Sequence, residues 1–421
     1  MTTGDIGARN HALDALRAGA LLLGVFGHAM ISFFPDPQWV ANDSESSPVL
    51  LVAFFTQHIF RMSLFFAIAG FFAHLLLEKR GVRGFIGNRF KRIALVFLVF
   101  WPVLLGGLVA VAVWAAGYAG TGPFAGNGPL AVQGEAGAAS SAGPRIAAAL
   151  WQNLPLGHTW FLYLLVWLYA GALALVGLAR LLDSKGRAAA AVDAIVRVLG
   201  ATHLLPLLLA VPLAAVFLLH EHWTAIGGIR TPDSGLVANP SAIVGFATAF
   251  AFGWFLHRQP TLLSVWQRRW LFYWGATAAL TVYCDWLMGA VVRDPSALPQ
   301  GIGQEILVAL AYPLAIWAWC FALFGTATRF LSGESRVIRY LSDASYWIYL
   351  VHLPLVVALQ VLVSPWALAW QVKYPLILAI AIPILLGSYQ LLVRNTWLGG
   401  WLNGRRAAGR ASVPAAEPGV V

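Results

Sequence analysis

Charged residues are scarce in this chain of 421 amino acids. Only 10% of its residues are Asp, Glu, Lys or Arg, whereas 60% are hydrophobic. A soluble domain carries about 25% charged residues. The composition therefore argues against a soluble globular enzyme and indicates a protein that crosses a membrane several times.

Cysteine is almost absent, and acidic residues are outnumbered by basic ones. The two cysteines, Cys284 and Cys320, lie within apolar runs, which leaves no disulfide framework and no zinc cluster. The 27 Lys and Arg residues exceed the 17 Asp and Glu residues, so the formal charge is +10. These basic residues form short clusters between apolar runs, which argues against a nucleic-acid partner. His220-Glu221-His222 lacks the helical spacing of a metalloprotease site, so we assign no metal.

Long apolar runs, by contrast, are abundant. A bilayer core about 30 Å thick is crossed by roughly 20 apolar residues in a helix. The sequence therefore predicts an all-α polytopic integral membrane protein of about ten transmembrane helices. The first run lacks a signal-peptide cleavage pattern, and we expect it to be retained as a span. The ten predicted spans are Leu13 to Phe34, Leu50 to Leu77, Ile93 to Tyr118, Trp160 to Leu182, Leu204 to Leu219, Ala242 to Leu256, Leu271 to Val291, Ile306 to Phe324, Ala344 to Leu362 and Pro375 to Leu392.

The basic residues of the connecting segments alternate between the two sides. With the N-terminus inside, the inner segments hold 21 Lys and Arg residues and the outer segments hold 4. Since cytoplasmic loops are enriched in basic residues, we predict that both termini are cytoplasmic. We expect a transmembrane domain over residues 1–402 and a disordered basic cytoplasmic tail over residues 403–421. The segment from Gly120 to Pro144 is expected to be a mobile external loop or a passive linker.

Ionisable residues inside a span usually face a cavity or the bundle interior. The predicted spans contain Arg17, His28, His58, Arg61, His74, Asp285 and His352. Arg17 and His28 are eleven positions apart, which is about 20° past three helical turns and about 16 Å along the axis. Both side chains therefore share one face of the first helix. The alternative is that Arg17 is an anchor at the inner surface and His28 a hydrogen-bonded interior histidine.

The second span carries His58 and Arg61 near the middle of the membrane. We expect the buried Arg61 to find a carboxylate, backbone carbonyls or a ligand; a clamp onto a neighbouring helix is the alternative. Asp285 is the one acid well inside a span, and it is a candidate partner of Arg61 or a base.

Two further groups of polar residues lie in the fourth and ninth spans. Ser345, Tyr349 and His352 form one polar stripe on an otherwise apolar helix, where interhelical hydrogen bonding is the alternative to function. His158 and Trp160 open the fourth span at the outer surface, where Trp160 alone is typical of an aromatic belt.

A basic cluster that includes Arg89 and Arg92 precedes the third span. Such a cluster fixes the topology of the chain, or it pairs with phosphates at the inner mouth of a cavity.

Together these segments resemble the membrane acyltransferase-3 family. Five segments carry the resemblance, in the family's order along most of the chain. They are Leu13-Asp14-Ala15-Leu16-Arg17 followed by ten residues and His28, Phe65-Phe66-Ala67-Ile68-Ala69-Gly70-Phe71, Arg89-Phe90-Lys91-Arg92, His158-Thr159-Trp160-Phe161-Leu162, and Ser345-Tyr346-Trp347-Ile348-Tyr349-Leu350-Val351-His352. Within the family, His58-x-x-Arg61-Met62 and the segment at His158 are most similar to a subgroup associated with succinylation of periplasmic glucans.

The resemblance implies a multi-pass enzyme of the bacterial cytoplasmic (inner) membrane. Its implied partners are the lipid bilayer, a cytoplasmic acyl-CoA that donates an acetyl or succinyl group, and an external carbohydrate whose hydroxyl accepts it. Arg17 and His28 are the implied catalytic pair, and Arg89 and Arg92 belong to a basic motif associated with donor binding. We add Arg61, Tyr349 and His352 as catalytic candidates, and His58, His158, Trp160 and Asp285 as substrate-binding candidates.

The chemistry fits these residue types. Acyl transfer to a hydroxyl needs proton removal and stabilisation of charge on the carbonyl oxygen. His28 suits a general base or a transient carrier of the acyl group, and Arg61 or Tyr349 suits the stabilising donor. Arg17 is too distant to partner His28 directly, so we expect it to hold a phosphate or the pantetheine arm.

Two other classes of function remain open from the sequence. A transporter or flippase for a glycan or a lipid-linked precursor also lines its helices with polar residues. We find no paired repeats of the kind many transporters show, which favours the enzyme. A structural or assembly subunit would not need Arg17 and His28 on one face.

Overall fold

The computed structural model describes residues 11–35, 39–121, 154–183, 185–220, 228–294, 297 and 301–404. The predicted tail, from residue 405 onwards, lies outside the described residues. So do residues 122–144 of the predicted external loop, and residues 221 and 222 of the His220 segment.

Thirteen α-helices make up most of the described chain. They are α1 (His11–Met30), α2 (Pro48–Arg89), α3 (Leu95–Tyr118), α4 (Trp160–Leu182), α5 (Arg187–Ala201), α6 (Leu205–Leu219), α7 (Pro240–Arg258), α8 (Leu262–Arg268), α9 (Trp270–Arg293), α10 (Ile302–Phe330), α11 (Arg336–Val363), α12 (Trp370–Ser388) and α13 (Trp397–Leu402). Short 3-10 turns cover Ile31–Phe33 and Gly157–Thr159, and π-helical turns cover Phe90–Ala94 and Tyr389–Val393. Apart from an isolated bridge between Pro155 and Ser234, the described residues form no β-structure.

Each of the ten predicted spans lies on a helix, which confirms the prediction of an all-α polytopic membrane protein. Among the described residues, eight helices are long and apolar enough to cross a membrane, or nine if α5 and α6, which are bent by 109°, form one span. One of these is the continuous helical stretch Pro48–Tyr118, which contains both the second and the third predicted spans. When α5 and α6 are counted as one span and the stretch Pro48–Tyr118 as two, the candidate spans in the described residues number ten.

The continuous stretch from α2 to α3 is too long for one crossing. Its 71 residues would extend about 107 Å if straight, more than three times the bilayer core. Gly81 interrupts α2 with φ 62° and ψ −177°, a conformation that glycine adopts without steric cost. The segment between this break and α3 carries Arg89 and Arg92, so the basic cluster lies at the turn between two spans.

Two helix pairs position the interior of the bundle. α2 packs on α7 with direct backbone contact: a Cβ atom at Gly70 would overlap the carbonyl oxygen of Phe250, and one at Gly253 would overlap that of Ala67. α1 and α11 run in the same direction, since Arg17 contacts Ser342 and His28 contacts His352.

A buried ion pair fixes the segment that follows α1. Nζ of Lys373, on α12, lies 2.8 Å and 2.9 Å from the two carboxylate oxygens of Asp43 and also donates to the carbonyl oxygen of Ser364. The two charged side chains are 0% and 1% exposed. This pair holds the segment containing Trp39 against the bundle.

Candidate functional site

A cavity of about 490 Å³ lies between α1, α2, α4 and α11. This volume is typical of small-molecule and cofactor sites. At one end its wall includes Arg89, Arg92 and Asn403, and at the other Thr231 and Asp233. In the predicted topology the first end faces the cytoplasm and the second faces outward.

The cavity collects almost all of the side chains that sequence analysis selected. Those in its wall are Arg17, His28, His58, Arg61, Arg89, Arg92, His158, Trp160, Tyr349 and His352. Five different segments of the chain therefore contribute polar groups to one cavity.

Arg17 and His28 lie on the face of α1 that lines the cavity, as their spacing predicts. Nη2 of Arg17 donates to Oγ of Ser342 at 2.6 Å and to its carbonyl oxygen at 3.2 Å, and lies 3.4 Å from Oδ1 of Asp14. These contacts, together with its place in the cavity wall, argue against a side chain that only reaches for the membrane surface.

His28 and His352 form a hydrogen-bonded pair. Nδ1 of His28 lies 2.9 Å from Nε2 of His352, and the two rings are stacked with their centres 5.1 Å apart. Nδ1 of His352 lies 2.7 Å from the carbonyl oxygen of Tyr349 and 3.0 Å from that of Ile348.

These contacts select the tautomers of both rings. A carbonyl oxygen only accepts, so Nδ1 of His352 carries the hydrogen and its Nε2 is an acceptor. Nδ1 of His28 must then donate to that acceptor, which leaves the lone pair of a neutral His28 on Nε2. Among the described residues no hydrogen bond is made to this Nε2 atom. The arrangement therefore presents a proton acceptor to the cavity.

The start of α4 is tied to α11 beside this pair. Oη of Tyr349 donates to the carbonyl oxygen of His158 at 2.8 Å, and Nε2 of His158 donates to that of Leu350 at 2.9 Å. Nδ1 of His158 is buried and has no hydrogen-bond partner in the described part of the chain. The His158 ring meets His352 edge-on, with ring centres 5.4 Å apart.

The Arg61 side chain reaches the cavity wall beside Gly27, a position of α1 that has no side chain. It is only 8% exposed, and its Nη1 atom donates to the carbonyl oxygen of Leu23 at 3.3 Å. A Cβ atom at Gly27 would lie 3.0 Å from this Nη1 atom and would overlap Nε2 of Gln57. The glycine immediately before His28 thus lets the guanidinium approach α1.

His58, one turn away from Arg61 on α2, is held at the outer part of the wall. Its Nε2 atom donates to the carbonyl oxygen of Ile229 at 3.3 Å, and its ring stacks on Phe54. Nδ1 of His58 is buried and has no hydrogen-bond partner among the described residues.

The basic cluster is built into the inner end of the cavity. The Arg89 guanidinium lies over the rings of Tyr169 and Phe85, at 4.9 Å and 5.7 Å from their centres, and donates to the carbonyl oxygen of Phe72. Nη1 of Arg92 donates to the carbonyl oxygen of Asn403 at 3.2 Å. Two oriented guanidinium groups in a cavity wall are suited to phosphate oxygens.

Asp285 is the one predicted site residue that the structure keeps away from the cavity. Its carboxylate accepts a hydrogen bond from Oγ1 of Thr56 at 3.0 Å. It does not pair with Arg61, because α9, which carries it, packs on a different side of α2 from the cavity.

Trp39, Gln360 and Ser342 are among the residues in or beside the site that were missed from the sequence. The Trp39 ring lies parallel to that of His28, and its Nε1 atom donates to Oε1 of Gln360, whose amide also donates to the carbonyl oxygen of His28. Ser342 holds Arg17. The signal for Ser342 was present, since it extends the stripe of Ser345, Tyr349 and His352 by one turn. Trp39 follows the first span, and no pattern marks it.

A family model described as an acyltransferase domain, acyltransferase-3, matches residues 10–391. The chain is similar to glucans biosynthesis protein C of Escherichia coli strain K12, with 31% identity over 96 residues, which is 23% of this chain and 25% of the relative. The same protein of strain SMS-3-5 is 32% identical over 98 residues. The matched segments thus span about a quarter of the length of these relatives. No solved structure matches the chain.

Proposed function

The chain belongs to the acyltransferase-3 family of membrane acyltransferases, and we propose that it moves an acetyl or succinyl group from cytoplasmic acyl-CoA to a hydroxyl of an external glycan. The matched region contains the described parts of α1, α2, α4 and α11, whose side chains line the cavity. The observation that carries the proposal is the Nε2 atom of His28, which accepts no hydrogen bond within the described part of the chain and faces a cavity with basic residues at one end.

His28 is the general base in this proposal. Its Nε2 atom takes the proton of the acceptor hydroxyl while the hydroxyl oxygen attacks the thioester carbonyl carbon. The carbon–sulfur bond then breaks, and the proton held by His28 passes to the leaving thiolate of CoA, which restores the neutral ring. The hydrogen bond to His352 stabilises the imidazolium that forms in between, since Nδ1 of His28 keeps its acceptor throughout.

Arg61 stabilises the charge that develops on the carbonyl oxygen. It is almost fully buried, and the described structure gives its guanidinium a single hydrogen bond, to the carbonyl oxygen of Leu23. A cation in a site of low polarity stabilises an oxyanion far more than it would in water. Tyr349 is assigned a positioning role instead, because its hydroxyl is already committed to the carbonyl oxygen of His158.

The donor enters from the end that carries Arg89 and Arg92. Their guanidinium groups take the phosphates of CoA. Arg17, further along the cavity wall, contacts the pantetheine arm or a phosphate. The distance of about 16 Å between Arg17 and His28 then lets an extended arm carry the thioester to the base.

The acceptor enters from the end that carries Thr231 and Asp233. A carboxylate and a hydroxyl are suited to hydrogen bonds with sugar hydroxyls. The indole of Trp39, beside His28, offers an apolar face to a sugar ring. The name of the similar Escherichia coli protein refers to glucans, which supports a glucan as the class of acceptor. In the predicted orientation this end of the cavity faces away from the cytoplasm, on the outer side of the bacterial inner membrane.

A reconstituted assay tests the proposal. Purified protein is placed in liposomes without an ion gradient and is given radiolabelled succinyl-CoA or acetyl-CoA on one side and a glucan oligosaccharide on the other. We expect label to appear covalently on the glucan, with one donor preferred, and to be absent with protein-free liposomes. Movement of unmodified glucan across the bilayer, without covalent label from either donor, would support the transporter alternative and contradict the proposal.

A further inference from the structure

A second cluster of polar side chains lies away from the cavity, where α2 packs on α7. Nδ1 of His74 and Nδ1 of His257 lie 2.9 Å apart, although the two residues are 183 positions apart in the chain. Oε2 of Glu78, one turn after His74 on α2, lies 3.7 Å from Nδ1 of His257. The three ligand atoms all lie within 4.8 Å of one another. None of these residues lines the cavity.

The backbone contacts between α2 and α7 at Gly70 and Gly253 hold the two histidines in place. His74 is four residues after Gly70, and His257 is four residues after Gly253, so each histidine lies one turn beyond the backbone contact and on the same helix face. The close approach of the two backbones thus sets the separation of the two imidazoles.

We propose that His74, Glu78 and His257 bind a divalent transition-metal ion, with Zn²⁺ as the best match. Two imidazoles and one carboxylate, with a position left for water, form a common zinc ligand set. Two ligand atoms about 2.1 Å from a tetrahedral zinc ion are about 3.4 Å apart. The Glu78–His257 separation is already close to this value, and the two Nδ1 atoms need to separate by about 0.5 Å.

The charges beside the three proposed ligands are of both signs, since Lys79 acts on His257 as a cation and Glu78 as an anion. Arg258, next to His257, forms an ion pair with Asp193, whose carboxylate also accepts from its Nε atom at 2.8 Å. Its charge is therefore neutralised locally. The exposed carboxylate of Glu78 gives the ion a route from solvent.

This site is independent of the proposed acyl transfer. From the sequence no metal is assigned, because His220-Glu221-His222 lacks the helical spacing of a metal site. In the structure the second histidine comes from another helix. A bound ion would clamp α2 to α7, and α2 also carries Arg61 and Arg89. Its predicted effect is therefore on the stability of the helix pair.

Metal binding is tested on the full chain, purified in detergent without a polyhistidine tag. After removal of metal with a chelator, the protein is titrated with Co²⁺ and its visible absorption is recorded, and bound Zn²⁺ is counted by elemental analysis after gel filtration. We expect one Zn²⁺ per chain and a Tm that rises by about 3 °C or more with Zn²⁺ in excess. Mg²⁺ at the same concentration should produce no such rise.

Three variants and a control decide the outcome. His257→Gln and His74→Gln should lose the stoichiometric Zn²⁺ and the cobalt spectrum, and Glu78→Gln should weaken binding about tenfold or more. Glu78 is exposed, so its variant keeps the test valid if a histidine variant does not fold. His203→Gln, at an exposed histidine elsewhere, should bind as the wild type does. Less than half an equivalent of Zn²⁺ in the wild type, or equal binding in all variants, would show that the histidines form only a hydrogen bond to each other.

Discussion

Nδ1 of His28 lies 2.9 Å from Nε2 of His352, and the opposite nitrogen of His352 is fixed by two backbone carbonyl oxygens of its own helix. Through this chain of contacts, the backbone of α11 determines which nitrogen of a side chain on α1 is free to accept a proton. The relationship links the packing of two parallel helices directly to the chemistry proposed for the cavity.

The acceptor role of His352 predicts different outcomes for two substitutions. His352→Leu removes the acceptor, so kcat for acyl transfer should fall about 100-fold or more while the donor KM stays near its wild-type value. His352→Gln supplies a side-chain oxygen that accepts from Nδ1 of His28, and we expect it to retain activity within about tenfold of the wild type. Steady-state kinetics on both variants measure this, and equal loss of activity in the two would exclude the tautomer argument.

The lack of a side chain at Gly27 predicts different outcomes for two alanine variants on α1. Gly27→Ala places a Cβ atom against Gln57 and Arg61, so acyl transfer should fall about tenfold or more as Arg61 is displaced. Gly19→Ala serves as the control, since no atom lies within 4 Å of its added Cβ. Rates and Tm are measured for both. Unchanged transfer by Gly27→Ala would mean that the position of Arg61 does not matter.

The two contacts of Arg17 with Ser342 predict that lysine is a poor replacement. A lysine ammonium is a point charge and cannot present the planar fork of arginine. Arg17→Lys should raise the KM for acyl-CoA about tenfold with a smaller change in kcat, as measured by donor titration at saturating acceptor. Arg180→Lys, at an exposed position outside the cavity, should leave the KM unchanged. A wild-type donor KM in Arg17→Lys would remove Arg17 from the donor site.

The ion pair of Lys373 and Asp43 predicts a large effect on stability. Lys373→Met leaves the Asp43 carboxylate buried without its cation, which should lower the free energy of unfolding by about 3–5 kcal/mol. The double variant Lys373→Met with Asp43→Asn should recover part of this loss, and Lys185→Met, at an exposed lysine, should have no effect. Denaturant unfolding in detergent provides the comparison. Wild-type stability in Lys373→Met would show that the pair contributes nothing.

The helical fold and most polar residues of the cavity wall were predictable from the sequence. A membrane span needs a helix of about 20 apolar residues, and ionisable residues within a span usually face the protein interior. Each predicted apolar run of span length lies on a helix, and the helical repeat correctly placed Arg17 and His28 on one face of α1. Contacts between distant segments were not predictable. Nothing in the sequence marks the pairing of His28 with His352, the stacking of Trp39, or the meeting of His74 with His257, since each depends on how two helices or a loop pack. The alternative that Asp285 pairs with Arg61 is wrong for the same reason. The helix that carries Asp285 packs where Thr56 is its neighbour.

The central claim is that His28 performs the proton transfer, and its most direct test is the single-turnover rate of acyl transfer by His28→Ala. The variant is first shown to insert in the membrane and to bind acyl-CoA as the wild type does, since Arg17, Arg89 and Arg92 are intact. We then expect the rate of covalent labelling of the glucan to fall about 100-fold or more. Transfer at the wild-type rate by a folded, donor-bound His28→Ala protein would contradict the account.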